Sequence, residues 1–327
     1  MNRLECNGLR FVPDSPAGHY ESYFQRANHP QRPLAFWIRY TVFSPKGHPE
    51  QAQGELWAMW FDGENKRVHK AYRAMPWAQC ASAGGPLRMR IGHAHLTEGA
   101  LQGSAEGISW DLQYTSPVEP LLLFPESFYE RAFPKAKVLV GSPHALYSGT
   151  IAVDGTTHDI TEWPGSQNHN WGSKHTDLYA WGQVSGFDNE PQAFLEVATA
   201  RVKLGPWLAP PMTPIVLRLG SDVFALNTPS HLWRARGSFD NFKWHFEGHD
   251  GRVRVKGTMT APAWAFAPLE YRNPPGGVKI CLNSKIAECE VTVTFADGSR
   301  RELHSAHSAA FELLGDRDRL AALGCSP

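Results

Sequence analysis

Apolar and polar residues alternate with a period of two along most of the chain, the repeat of a strand whose side chains point to opposite faces. Residues 34–42 set Leu34, Phe36, Ile38, Tyr40 and Val42 on one face and Trp37, Arg39 and Thr41 on the other. Four Asp-Gly pairs, at 62–63, 154–155, 250–251 and 297–298, lie between such runs. Asp-Gly suits a type I′ hairpin turn because both central residues take positive φ. The last two pairs have the clearest flanks: Trp244-His245-Phe246 meets Arg252-Val253-Arg254-Val255 across one turn, and Val291-Thr292-Val293-Thr294-Phe295 runs into the other. Helix-period segments are rare. Residues 125–133 open with Pro and Glu and stop before Pro134, and residues 316–323 start acidic and end at Gly324, so each predicts one short helix. The pattern as a whole predicts an all-β protein.

At about 100–200 residues per domain, 327 residues predict about two domains. Pro206, Pro210, Pro211 and Pro214 form one cluster, and Pro262, Pro268, Pro274 and Pro275 form another. Central strands are excluded there, so both read as loops. The turn Asp188-Asn189-Glu190-Pro191 is the expected seam, giving domains 1–190 and 191–327, the second ending in the short helix.

Charge narrows the function. The 32 Lys and Arg balance the 32 Asp and Glu, so neither nucleic acid nor an anionic lipid surface is expected as a main partner. No apolar run approaches the roughly 18 residues of a membrane helix, so no membrane span is expected. The first residues carry no continuous apolar stretch of the signal-peptide kind, which points to a cytoplasmic location. Five cysteines without a C-x-x-C pair read as reduced thiols.

The phosphate loop, the dinucleotide fingerprint, the G-x-S-x-G elbow and the H-E-x-x-H helix are all missing, so nucleotide-driven and serine-hydrolase chemistry lose support. His93-x-His95 on a strand would turn two imidazoles to one face, but no third ligand stands at a recognisable spacing. His304 and His307 would pair only on a helix, in a segment that reads as extended. No metal is expected.

The chain holds 12 Trp, 17 Phe and 9 Tyr, and one segment concentrates them beside polar groups. Trp163-Pro164-Gly165-Ser166-Gln167-Asn168-His169-Asn170-Trp171-Gly172 is followed closely by Leu178-Tyr179-Ala180-Trp181-Gly182-Gln183. On strands, His169 and Trp171 share a face, as do Tyr179, Trp181 and Gln183. Two neighbouring strands would then turn His, Trp, Tyr, Trp and Gln toward one cavity, the aromatic wall with polar tips that an apolar or polyene-like ligand needs. The alternative is that Trp171 and Trp181 fill a barrel while His169 and Asn170 satisfy backbone groups.

Asn168-His169-Asn170-Trp171-Gly172 with Tyr179-Ala180-Trp181-Gly182-Gln183 resembles the signature region of a superfamily that includes hydroxyneurosporene synthase (a carotenoid hydratase), tocopherol cyclase and the lipocalin-like Diels–Alderases. Glu21-Ser22-Tyr23-Phe24, Ala35-Phe36-Trp37, Tyr147-Ser148-Gly149-Thr150 and Trp163-Pro164-Gly165 extend the likeness, which covers residues 18–190. The C-terminal third matches by strand pattern. The resemblance implies two lipocalin-like barrels with a pocket in or between them, and no redox cofactor or nucleotide. It also implies a lyase- or isomerase-type enzyme that hydrates, cyclises or templates a hydrophobic isoprenoid- or polyene-like molecule. His169 and Trp171 match the H-x-W of the hydratases. Where those enzymes carry a tyrosine–x–aspartate pair, this chain has Phe194-Leu195-Glu196, which weakens the case for hydration.

On this reading Glu196 is a buried acid of raised pKa, with His169 or Tyr179 relaying its proton. Trp171 and Trp181 stabilise a carbocation through their π faces, and Asn168, Asn170 and Gln183 contact the substrate. The competing reading is a lipid or isoprenoid carrier without catalysis, using the same aromatic cavity.

Overall fold

The computed structural model describes residues 3–82, 87–204 and 207–326. The first sheet contains β1 (His19–Asn28), β2 (Leu34–Ser44), β3 (Gln53–Asp62), β4 (Arg67–Pro76), β5 (Cys80–Ser82), β6 (Arg88–Ile91), β7 (Ala94–Thr97), β8 (Ala100–Ala105), β9 (Ile108–Thr115), β10 (Leu121–Leu122), β11 (Ala136–Val153) and β12 (Thr156–Gly172). They are ordered β4-β3-β2-β1-β12-β11-β9-β8-β7-β6-β5, with β10 paired to β11. β13 (Leu178–Phe187) and β14 (Glu190–Arg201) open the second half, followed by the small hairpin β15 (Lys203–Leu204) and β16 (Trp207–Leu208). The second sheet continues with β17 (Ile215–Leu219), β18 (Asp222–Leu226), β19 (Arg236–Asp240), β20 (Lys243–His249), β21 (Val253–Thr260), β22 (Ala267–Arg272), β23 (Val278–Phe295) and β24 (Arg300–Gly315). Its order is β18-β17-β14-β13-β24-β23-β21-β20-β19, with β22 paired to β23.

Both sheets are antiparallel, as the alternation predicts, and curl into lipocalin-like barrels, as the resemblance implies. A side chain at Gly54 on β3 would strike Cys80 and Ile91 from the far end of the first sheet. One at Gly237 on β19 would strike Thr199 and Thr213 across the second. Close approach of opposite sheet ends is why those positions are glycine. Among the described residues the α-helices are α1 (Arg3–Asn7), α2 (Pro229–Arg234) and α3 (Arg317–Ala322).

Three expectations shift. Leu178–Phe187 belongs to the second sheet, so the change of sheet falls between Gly172 and Leu178. The 188–191 turn is a hairpin inside the second barrel, joining β13 to β14. Of the Asp-Gly pairs, 154–155 is the two-residue turn, with φ of 47° and 85° between the paired Val153 and Thr156. The 250–251 and 297–298 pairs sit in longer turns. The helix expected over 125–133 is only a 3-10 turn, Glu126–Phe128, and the Tyr129 hydroxyl that follows it donates to the Val138 carbonyl (2.8 Å).

The core has two barrel interiors and a layer between them. Phe36, Tyr40, Trp60, Tyr147 and Trp163 help fill the first interior. Every residue of β2 is buried, because its other face, with Ala35 and Trp37, packs toward the second barrel. A strand buried on both faces marks the contact between domains.

Candidate active site

β12 and β13 follow one another in the chain but lie in different sheets, so alternation decides what each shows the other. Across β1 and β12, Ser22 pairs with Asn170, Phe24 with Asn168 and Arg26 with Ser166; these face the second barrel. Glu21, Tyr23, His169 and Trp171 take the opposite face. β13 turns Tyr179, Trp181 and Gln183 toward the first barrel, as Gln183 shows: its Oε1 accepts from Arg26 Nε (2.8 Å) and Ser166 Oγ (2.6 Å). Its Nε2 donates to Asn168 Oδ1 and Glu196 Oε2 (both 2.8 Å).

The single cavity expected for all of these residues is therefore divided. His169 is fully buried behind β12, with Nδ1 2.6 Å from the Cys6 carbonyl and Nε2 2.8 Å from Glu21 Oε1. Its ring stacks on Tyr23 at 4.2 Å. Glu21 also accepts the Arg10 and Phe11 backbone N–H groups. Burial pushes the Glu21 carboxyl up, but bonds from His169 and His19 hold it down at about 2. His169 thus pins the N-terminal segment onto the sheet, and no hydrogen bond links it to Glu196. Trp171 lies on that same side, under Arg10 and near Tyr129. The proton path from His169 to Glu196 and a carbocation role for Trp171 are corrected accordingly. A strand shows opposite faces to opposite sides, and His169 and Trp171 are on the wrong one.

Between the barrels lies a cavity of about 100 Å³, the size of one small ring. Tyr20, Phe24, Tyr179, Trp181 and Tyr271 form its aromatic walls, and Arg39, Asn170, His175 and Glu312 its polar ones. Asn170 Oδ1 accepts from Ser22 Oγ. His175 stacks on Tyr20 at 3.9 Å. Burial, then the nearby Arg39 charge, pulls the His175 imidazole down to about 3, so it is neutral at physiological pH. Burial likewise lifts the Tyr179 phenol well above the ordinary tyrosine range, so it stays a hydrogen-bond donor.

Glu312 anchors the polar wall. Its Oε1 accepts from Lys285 Nζ (2.8 Å) and Asn283 Nδ2 (3.0 Å), and its Oε2 from the Tyr179 hydroxyl (3.4 Å). Lys285 is fully buried, and its ammonium stands 5.7 Å from the Trp37 ring and 5.5 Å from that of Trp181. Glu196 is also fully buried but sits behind Trp181: its Oε1 accepts the indole N–H (2.8 Å) and its Oε2 the Gln183 amide. Burial outweighs both bonds and pushes the Glu196 carboxyl up to about 7, the direction the sequence predicts.

Arg39, Lys285, Asn283 and Glu312 escape the sequence reading because they come from β2, β23 and β24, more than a hundred residues from the aromatic segment at one end or the other. A signal is present nonetheless. Arg39 is the one charge in β2, and Lys285 and Glu312 are each the one charge in a largely uncharged stretch of their strands, 280–287 and 305–315; charged residues are seldom buried without a task. His93 lies in the turn before β7, bonded to Ser104, so His93 and His95 do not form a strand pair. An open groove of about 930 Å³ crosses the outside of the second barrel between Phe133, Met212 and Trp233. Of its charged lining residues Arg236 and Lys256 are exposed and Glu247 partly so, so chemistry there would run in water.

The model of the tocopherol cyclase-like family matches residues 89–314. The uncharacterized protein Rv0493c of Mycobacterium tuberculosis is 26% identical over 278 residues, covering 84% of this chain and 81% of that one. Among solved structures, CghA in complex with Sch210972 aligns with a TM-score of 0.62 at 12% identity, covering 95% of this chain and 94% of the other. Kievitone hydratase from Nectria haematococca aligns at 0.53 with 10% identity, covering 96% and 94%. An AttH-like protein of Nitrosomonas europaea aligns at 0.59 with 14% identity, covering 94% and 96%. These likenesses share the two-barrel fold. The chain belongs to the tocopherol cyclase-like family, and with that membership goes the lyase- or isomerase-type enzyme that the sequence predicts.

Proposed function

We propose that the protein is an isomerase or lyase that closes a ring in, or adds water to, a hydrophobic small molecule held in the interdomain cavity. The observation that carries this reading is the Tyr179–Glu312–Lys285 array on an otherwise aromatic wall. A carrier for an apolar ligand gains nothing from a buried ion pair, whose desolvation costs several kcal/mol per ion, about as much as a well-packed apolar side chain would recover. An acid–base site needs that pair.

In the reaction drawn here Tyr179 takes the proton of a substrate hydroxyl while passing its own to Glu312. The oxygen so freed bonds to an alkene carbon conjugated with a carbonyl, and the displaced electron pair rests on the carbonyl oxygen. Return of the proton from Glu312 through Tyr179 to the adjacent carbon completes an isomerisation. With water in place of the internal hydroxyl, the same steps amount to hydration. The negative charge that develops on oxygen suits a cavity walled by Arg39 and backed by Lys285, whereas a carbocation beside those cations would be disfavoured. Glu196 then holds Trp181 and Gln183 in place and does not touch substrate.

Filling the cavity tests the reading. Ala198 lines it beside Trp181, and Ala198→Phe should abolish calorimetric binding of geraniol, a small isoprenoid alcohol, while leaving the melting transition cooperative. Undiminished binding to this variant would place the ligand elsewhere.

A further inference from the structure

Three buried cations, Arg26, Arg39 and Lys285, occupy the layer between the barrels with two buried carboxyl groups, Glu196 and Glu312. Lys285 is bonded to Glu312. Arg26 is held by neutral oxygens of Gln183, Asn28 and Ser308. Arg39 has the least. Its side chain is 97% buried in the sense that only 3% of the residue is exposed, and its one hydrogen bond among the described residues is from Nη2 to Ser22 Oγ (2.8 Å). Its Nε–H is buried without an acceptor, and its guanidinium carbon lies over the Tyr271 ring, 4.3 Å from the centroid. No carboxylate reaches ion-pairing distance of it among the described residues. Burial opposes its charge, but Tyr271 and the more distant Glu55 and Glu312 carboxylates outweigh burial; what stays unmet is the Nε–H, and a buried donor without an acceptor costs free energy until a ligand accepts from it. Arg39 is also a wall of the interdomain cavity.

Resting on the site assigned above, we propose that this cavity takes the anionic oxygen head, a carboxylate or an enolate, of an otherwise apolar substrate, and that Arg39 is the residue that holds it. A planar guanidinium offers such a head two parallel N–H donors. The Tyr271 ring beneath it holds the guanidinium in place. His175, neutral and packed between Tyr20 and Tyr271, adds no competing charge. The cavity accommodates only a ring-sized group, so the head enters it and the apolar remainder runs along the apolar lining residues, Phe124 and Val138 among them. The head would also place the reacting carbons beside the Tyr179–Glu312 pair on the facing wall.

Geranate and geraniol share one carbon skeleton and differ in the charge of the head, so calorimetry at pH 8 with both separates this inference from the site itself. The wild-type protein should bind geranate at least about tenfold more tightly than geraniol, the scale of a charge-assisted hydrogen-bonded contact. Arg39→Met should erase that preference, and Arg39→Lys should restore part of it. The wild-type ratio decides the matter even if Arg39→Met does not fold. Equal affinities in the wild type overturn the anionic head and leave the cavity reading standing. Failure of both probes to bind, or binding of both undisturbed by Ala198→Phe, overturns the cavity reading and this inference with it.

Discussion

Glu196 is a carboxylic acid whose folded-state pKa lies near neutrality, and that has a measurable consequence for stability. Its carboxyl is fully buried, bonded only to the Trp181 indole and the Gln183 amide, and raised from 4.5 to about 7. The folded state therefore holds this proton more tightly than the unfolded chain. The resulting stability is fully present below pH 4.5 and is lost as the pH rises through 7. A shift of that size, integrated from pH 5 to pH 8, amounts to about 2–3 kcal/mol. Glu196→Gln removes the titration. It also sets two amide N–H groups against each other at Gln183, a cost that does not depend on pH. The quantity to measure is the difference in unfolding free energy between wild type and Glu196→Gln, by urea titration at pH 5 and again at pH 8. Taking the change in that difference cancels the fixed cost and the titration of all other groups. The wild type should lose about 2–3 kcal/mol relative to the variant over this interval. A difference that stays constant across it would refute the argument that burial outweighs the two hydrogen bonds.

Other consequences follow from the division between the two faces of β12. His169→Ala should free residues 3–11 to rapid amide exchange while changing geraniol affinity less than threefold; a selective loss of binding would return His169 to the site. The Glu21 carboxyl is held down at about 2, so its contribution is present above pH 4.5 and lost as the pH falls toward 2. Glu21→Gln should therefore lower the melting temperature at pH 7 and have little effect near pH 2. A side chain at Gly165 would collide with the Arg26 carbonyl and Ala27, so Gly165→Ala should destabilise the fold by about 1–3 kcal/mol in urea titration, the range for an overpacked core.

The fold was largely legible because a half-buried antiparallel strand writes itself into the sequence as alternation, and β9 and β21 do so plainly. The faces of the site segment were legible for the same reason: Tyr179, Trp181 and Gln183 share one face, and His169 and Trp171 share another. Which face meets which was not. That depends on where the chain leaves one sheet for the next, at residues 173–177, and the proline and Asp-Asn-Glu-Pro signals drew the boundary to a hairpin turn instead. Asn168 and Asn170, the neighbours of His169, are what β12 turns toward the second barrel. Arg39 and Glu312 carry no local motif at all. They meet because β2 and β24 are brought together by packing of the two barrels, so their sequence signal is only the oddity of one charge in an otherwise uncharged stretch.

The central claim, that the ligand sits between the barrels and not inside one, is tested most directly by the tryptophan indole N–H resonances. The Trp181 indole lines the cavity and donates to Glu196, the Trp244 indole donates to Thr199 inside the second barrel, and the Trp110 indole donates to Tyr40 inside the first. Titration with geraniol should move the Trp181 resonance and leave those of Trp244 and Trp110 in place. Movement of Trp244 or Trp110 with Trp181 unchanged would contradict the account.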